Sequence, residues 1–257
     1  VLNLNTEEQN EFAKLLEKTS LSHIIRSAKI VADRLDFLES LNTLVFDHKK
    51  SLLERDQLHK ILESESWIFD EHFALAGSEK RLEEVLNIHL KILGKRCEDD
   101  SNVLINNERQ GRVDLMLSKS VEVRPGHKDF LVVELKRPNK KIDNDVIGQI
   151  MGYAQAVNND ERFHKSNCKW KFIAVSNQFD DIAEMRANNI GLPKGCVHQE
   201  NSIEIYVMKW SEVITNAKAR LKFYQEQLNY EADTESSMSY LHEIHNEFVP
   251  EEIREQA

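Results

Sequence analysis

The chain has 257 residues, 40% of them apolar and 30% charged, with a formal net charge of −10. That length and apolar content suffice for one large domain or two small ones with a real core. The negative balance argues against a protein that coats nucleic acid nonspecifically, because phosphate neutralisation needs clustered Lys and Arg. No run approaches the roughly 18 apolar residues of a membrane helix, and the opening VLNLNTEEQN lacks the basic-then-apolar pattern of a secretory signal. A cytoplasmic protein without a membrane partner is therefore expected.

The chain begins with Val1 in a stretch that is already helix-like, as expected of a piece of a longer protein. Residues 7–48 carry apolar positions at steps of three and four (Phe12, Leu15, Leu16, then Ile24, Ile25, Ala28, Val31, Leu35), which predicts a pair of amphipathic helices. Ser20 or Ser22 can cap the second. This part holds no titratable constellation and reads as a packing, dimerising or linking segment. A third helix is predicted from Leu52 (SLLERDQLHKILESE), then an aromatic turn over 66–73 (SWIFDEHF), then a fourth helix over 79–94 ended by Gly94.

Period-two patterning then predicts strands within 103–117 (NVLI, GRVDLML) and over 130–137 (FLVVELKR), joined by a turn through Pro125 and Gly126. Helix returns over 143–158. WKFIAVSN at 170–177 reads as a short, apolar strand, as in one buried on both faces in the middle of a sheet. A mixed segment, a strand over 203–210 and a long amphipathic helix over 211–230 follow, and 231–257 reads as an acidic tail holding at most a docked or partly disordered helix. The predicted fold class is α/β, a mixed sheet flanked by helices with an N-terminal helical segment. The division expected is 1–48, 49–230 and 231–257. Cys97, Cys168 and Cys196 are widely spaced and odd in number, and the ten histidines show no HExxH, so neither a disulfide framework nor a zinc site is supported.

The chemistry concentrates at LVVELKRP, residues 131–138. Side chains alternate along a strand, so Glu134 and Lys136 share one face while Val133 and Leu135 take the other. The same count on the preceding strand sets Asp114 and Met116 opposite Val113, Leu115 and Leu117. If the two strands pair with their apolar sets together, Asp114, Glu134 and Lys136 converge. Two close carboxylates are costly to ionise unless a divalent cation lies between them. Mg²⁺ suits such a site, being held by one or two carboxylates with waters and phosphate oxygens, and Mn²⁺ can replace it. The Leu135 carbonyl is a further candidate ligand, and Lys136 can position the attacking water or counter phosphate charge. Gln149 and Tyr153, four residues apart with Asp145 one turn earlier, lie on one helix face that can cover the site.

The order GRVDLML, VVELKRP and a helix carrying QxxxY resembles the PD-(D/E)XK nuclease superfamily. Asp114 then stands as the single acid, Glu134-Leu135-Lys136 as the ExK element, and Gln149 with Tyr153 as the trailing motif. LHKILESESWIF ahead of this core is similar to the Shedu-type nuclease domain of bacterial anti-phage defence, and the whole chain resembles the C-terminal half of longer proteins whose N-terminal half is a GHKL-type ATPase. The resemblance implies a restriction-endonuclease-like nuclease domain over 49–230 and DNA as substrate. It further implies a homo-oligomer, dimer or higher, and an ATPase domain of the same parent protein as partner. It also implies an acid on the first core helix, for which Glu54 is the candidate and Glu71 the competitor.

Each motif has a plainer reading. ExK in a chain so rich in charge is commonly a solvated edge strand with a cross-strand ion pair; Glu122-Val123-Arg124 is such a look-alike. Trp67 and Phe69 read as core anchors rather than base-stacking residues. Lys140 and Lys141 are solvated or contact phosphate; Arg112 pairs with Asp114 or with DNA, and Arg137 is a further candidate for DNA contact. What favours the site is the joint order of strand, strand, helix and buried strand. The alternatives are a binding module of the same fold without turnover, and a helical assembly domain whose sheet is a scaffold.

Overall fold

The computed structural model describes residues 4–81, 112–119, 127–160 and 168–255. Two helices open the chain as expected. α1 (Thr6–Leu16) is capped by Asn5, whose side chain accepts from Glu7 N and Glu8 N while Glu8 bonds back to the Asn5 amide. α2 (Leu21–Phe46) is capped by Ser20, which decides between the two candidate serines. From Leu35 onward α2 buries Phe37, Leu38, Leu41, Leu44 and Val45 completely.

The third predicted helix is divided. Glu54–His59 winds as a π-helical segment and only Lys60–Ser64 (α3) is regular, followed by a 3₁₀ turn at Ser66–Ile68. β1 then spans Phe73–Arg81. The helix expected over 79–94 is thus corrected at its start: residues 79–81 belong to a strand, with Lys80 and Arg81 opposite Val113 and Arg112. Cross-strand pairing overrides the helical leaning of Glu, Lys and Arg there. The remainder of that expected helix, Cys97, residues 103–111 and most of the predicted turn lie outside the described residues.

The strands β2 (Arg112–Lys119), β3 (Lys128–Leu135), β4 (Cys168–Ser176), β5 (Cys196–Glu200) and β6 (Ile203–Lys209) complete a six-stranded mixed sheet, ordered β1-β2-β3-β4-β6-β5. β2 and β3 run antiparallel, whereas β3, β4 and β6 are parallel. α4 (Asn144–Asn159) links β3 to β4, α5 (Asp181–Ala187) follows β4, and α6 (Trp210–Leu228) follows β6.

Alternation along the strands divides the core in two. Leu115, Leu131, Val133, Leu135, Ile173 and Val175 face α2 and α6, while Phe130, Val132, Trp170, Phe172 and Ala174 face α4 and α5. From Phe172 onward β4 is buried on both sides, as its apolar run FIAV predicted.

The C-terminal stretch holds α7 (Thr234–His245) and α8 (Glu251–Arg254), whose Leu241 and Ile253 are buried in the first core. Polar contacts fasten it. Asp36 accepts from Tyr230 Oη at 2.7 Å and Ser236 Oγ at 2.8 Å. Buried Glu65 accepts from Trp67 Nε1 at 2.6 Å and Tyr240 Oη at 2.8 Å, with His245 Nε2 at 3.1 Å.

Candidate active site

The β2–β3 register opposes Leu115 with Val133 and Met116 with Val132, so the next step outward sets Asp114 beside Glu134 on the α4 face. The two strands are also joined through the acid itself: Leu135 N donates to Asp114 Oδ2 at 2.6 Å. Glu134 and Lys136 are 3% and 7% exposed. Lys136 Nζ lies 2.6 Å from Glu134 Oε1. Both sit at the C-terminal end of β3, where Lys136 N still pairs with Val175 O at 3.0 Å.

α4 covers this corner. Asp143 caps it by accepting from Val146 N, and Val146, Ile147 and Ile150 anchor it on the sheet. Its polar face then places Gln149 over the strand end: Gln149 Nε2 donates to Glu134 Oε1 at 2.8 Å and to Tyr153 Oη at 2.7 Å, and Gln149 Oε1 lies 3.4 Å from Lys136 Nζ. Asp145 is exposed in the first turn of α4, outside this network.

Of the two helix acids, the fold brings Glu54 to the strand end. Its Oε2 accepts from Arg137 N at 2.8 Å. It is presented by the π-helical segment, whose Gln57 folds back to accept from Leu53 N at 2.7 Å; π-helical turns recur where a side chain must be re-aimed. Glu71 lies elsewhere, held by Arg220 Nε at 2.8 Å. Arg137, Lys140 and Lys141 are exposed on the turn leaving β3. Arg112 stands on β2 opposite Arg81. Its side chain lies outside the described residues.

One contributor had no signal in the sequence. Ser176, buried at the end of β4, donates to Lys140 O and to Arg137 O, the latter at 3.3 Å, and so pins the basic turn to the sheet. A serine closing an apolar strand is ordinary, and nothing in VSN announces it.

The electrostatics are those of crowded acids. Burial first, then the neighbouring Glu134 charge, push Asp114 up to about 8. Burial likewise raises Glu134 against the opposing pull of Lys136. For Lys136, burial would lower the value, but Glu134 and Asp114 together raise it, so it stays an ammonium ion at neutral pH. Tyr153 is raised by burial and by Glu134, and remains a neutral phenol.

Glu134 Oε2 is buried without a hydrogen-bond partner, a costly state for a carboxylate oxygen. Among the described residues no cluster of three or more His, Cys, Asp or Glu could hold an ion alone. Two acids, one with an orphaned oxygen and both resisting ionisation, fit a hard divalent cation whose other ligands are waters and phosphate oxygens.

No protein-family model and no curated protein matches the chain. Among solved structures it is similar to a repair endonuclease from Pyrococcus abyssi, at 16% identity and a TM-score of 0.33. That match covers 60% of this chain and 46% of the endonuclease, so the chain spans less than half the length of that structure. A likeness this distant carries no functional argument. The site's own geometry has to do so.

Proposed function

We propose that this chain is a divalent-metal-dependent nuclease domain that hydrolyses phosphodiester bonds in DNA. The observation that carries the reading is the meeting of Asp114, Glu134 and Lys136 on one sheet face beneath Gln149 and Tyr153. Asp114 and the free oxygen of Glu134, with the Leu135 carbonyl, would hold Mg²⁺ or Mn²⁺, which would act as a Lewis acid on the phosphate. Lys136, protonated, counters charge that develops on the phosphate oxygens. Gln149, held by Tyr153, orients the attacking water. Glu54 fixes the start of the basic turn through the Arg137 amide, and Arg112, Arg137, Lys140 and Lys141 contact the DNA backbone.

In its finer form the proposal is a Shedu-type member of the PD-(D/E)XK superfamily, acting in bacterial anti-phage defence. It works in the cytoplasm as a homo-oligomer, regulated by an ATPase half of the same parent protein. No helix among the described residues is long and apolar enough to cross a membrane.

The test is cleavage of supercoiled and linear DNA by the parent, Asp114→Asn and Lys136→Met with Mg²⁺, Mn²⁺ or EDTA. The reading expects metal-dependent cleavage by the parent, weakened by ~10²-fold or more in each variant. DNA binding without cleavage, independent of metal and unchanged in the variants, would instead mark a binding module.

A further inference from the structure

Resting on the nuclease reading, a second DNA contact can be placed from the turn between α5 and β5. Ile190 stands fully exposed at its tip, with Met185 68% exposed on the adjoining helix. The turn is a stiff projection. Asn189 accepts from Gly191 N through its side chain at 3.2 Å and from Leu192 N through its carbonyl at 3.1 Å. At the base, Gly195 N donates to Ala187 O and Val207 N donates to Gly195 O, both at 2.9 Å. Gly195 has φ +80°, and a Cβ there would lie 2.9 Å from Val207 O, so the glycine is required.

Leu135 pairs with Val175 and Val175 with Met208, one row across β3, β4 and β6, while Gly195 is bonded at Val207 beside that row. The turn therefore rises from the same end of the sheet as Glu134 and Lys136. Three strand spacings, about 14 Å, separate β5, the strand at its base, from β3. It also lies on the same face, because Ala183 and Ala187 of α5 share the core of α4.

Between the two points lies the pinned basic turn with Arg137, Lys140 and Lys141 exposed. Most acids nearby have internal tasks: Asp143 and Asp180 cap helices, and Glu184 and Glu212 hold Lys209 and Lys194 at 3.0 and 3.2 Å; Asp145 and Asp181 stay exposed. A basic turn flanked on the same end of the sheet by an exposed apolar tip matches a duplex whose base step is opened by an aliphatic side chain.

We propose that Ile190 is a wedge that inserts between base pairs of duplex DNA whose phosphate is held at Asp114, Glu134 and Lys136. Substitution there removes no core contact, so folding is preserved. The test uses the full chain with Ca²⁺ in place of Mg²⁺ and duplexes carrying 2-aminopurine at successive positions. Parent and Ile190→Leu should raise the fluorescence at one step, whereas Ile190→Asp should abolish the rise. Ile190→Asp should also weaken duplex binding by about tenfold and leave single-strand binding unchanged.

Equal fluorescence and affinity for parent and Ile190→Asp would overturn the wedge while leaving the nuclease reading intact, since Mg²⁺-dependent cleavage by the parent reports on that separately. A parent that neither binds nor cleaves duplex would overturn both. Unchanged DNA binding with a smaller assembly in Ile190→Asp would reassign the tip to a protein contact and overturn the proposal.

Discussion

Leu135 N donates to Asp114 Oδ2 across the β2–β3 boundary, a 2.6 Å bond that fixes the acid of one strand against the backbone of the strand carrying Glu134 and Lys136. It holds one carboxylate oxygen where a cation could be shared with Glu134. It also partly offsets, without cancelling, the burial that raises Asp114 to about 8.

That raised value makes both stability and metal binding depend on pH. The folded state favours the protonated acid, so its contribution is full below the ordinary carboxyl value of 3.8 and is lost as pH rises through about 8. In EDTA, the melting temperature should fall between pH 7 and 9 in the parent and change less in Asp114→Asn. Since a cation must displace that proton, apparent Mn²⁺ affinity should climb with pH by about tenfold per unit and level off above the folded value. Calorimetry in buffers of different ionisation enthalpy should detect the released proton; flat affinity with no proton release would refute the coupling.

Lys136 and Glu134 form a buried pair, so truncating one should strand the other. Lys136→Met should cost about 3–5 kcal/mol of stability, and Lys136→Met with Glu134→Gln should recover most of it. Cleavage should stay weakened by ~10²-fold or more in both. Recovery of cleavage by the double variant would show that the pair serves packing alone.

Glu54 reaches the site through the Arg137 amide rather than through either acid. Glu54→Ala should therefore lower the cleavage rate by roughly tenfold while shifting stability by no more than ~1 kcal/mol. Glu71→Ala, which removes the carboxylate paired with Arg220 on the opposite side of the sheet, should lower the melting temperature without touching the rate of the remaining folded protein. Reversed effects would exchange the two assignments.

What the sequence made legible is what alternation encodes. GRVDLML and VVELKRP carry period two across a pair of strands, so the shared face of Asp114, Glu134 and Lys136 could be counted out. The apolar run FIAV of β4 likewise declared its central place. β1 was hidden because FALAGSEKR contains a glycine and ends in helix-favouring charges, and β5 because CVHQE is a five-residue edge strand with little apolar alternation. The Asp114–Leu135 bond uses a backbone amide, which no side-chain pattern reveals. The packing of α7 was equally hidden, since Tyr240 and His245 meet Glu65 from 175 and 180 residues away.

That distant contact gives its own expectation. Burial would raise Glu65, but hydrogen bonding with His245, Trp67 and Tyr240 prevails and lowers it. The stabilisation is therefore present above the ordinary carboxyl value and is lost as pH falls through the lowered one. Acidification should release α7 from Phe37 and Glu65, and Glu65→Ala should do so at neutral pH at a cost of about 3–5 kcal/mol. Hydrogen exchange over residues 234–245 reads this directly, and protection unchanged in Glu65→Ala would contradict it.

The most direct measurement is titration of Mn²⁺ into the folded parent, Asp114→Asn and Glu134→Gln at pH 8, followed by calorimetry and by the electron paramagnetic resonance of the free ion. One site in the parent, weakened about tenfold or more in each variant, is the predicted result. Equal Mn²⁺ binding by all three proteins would contradict the account.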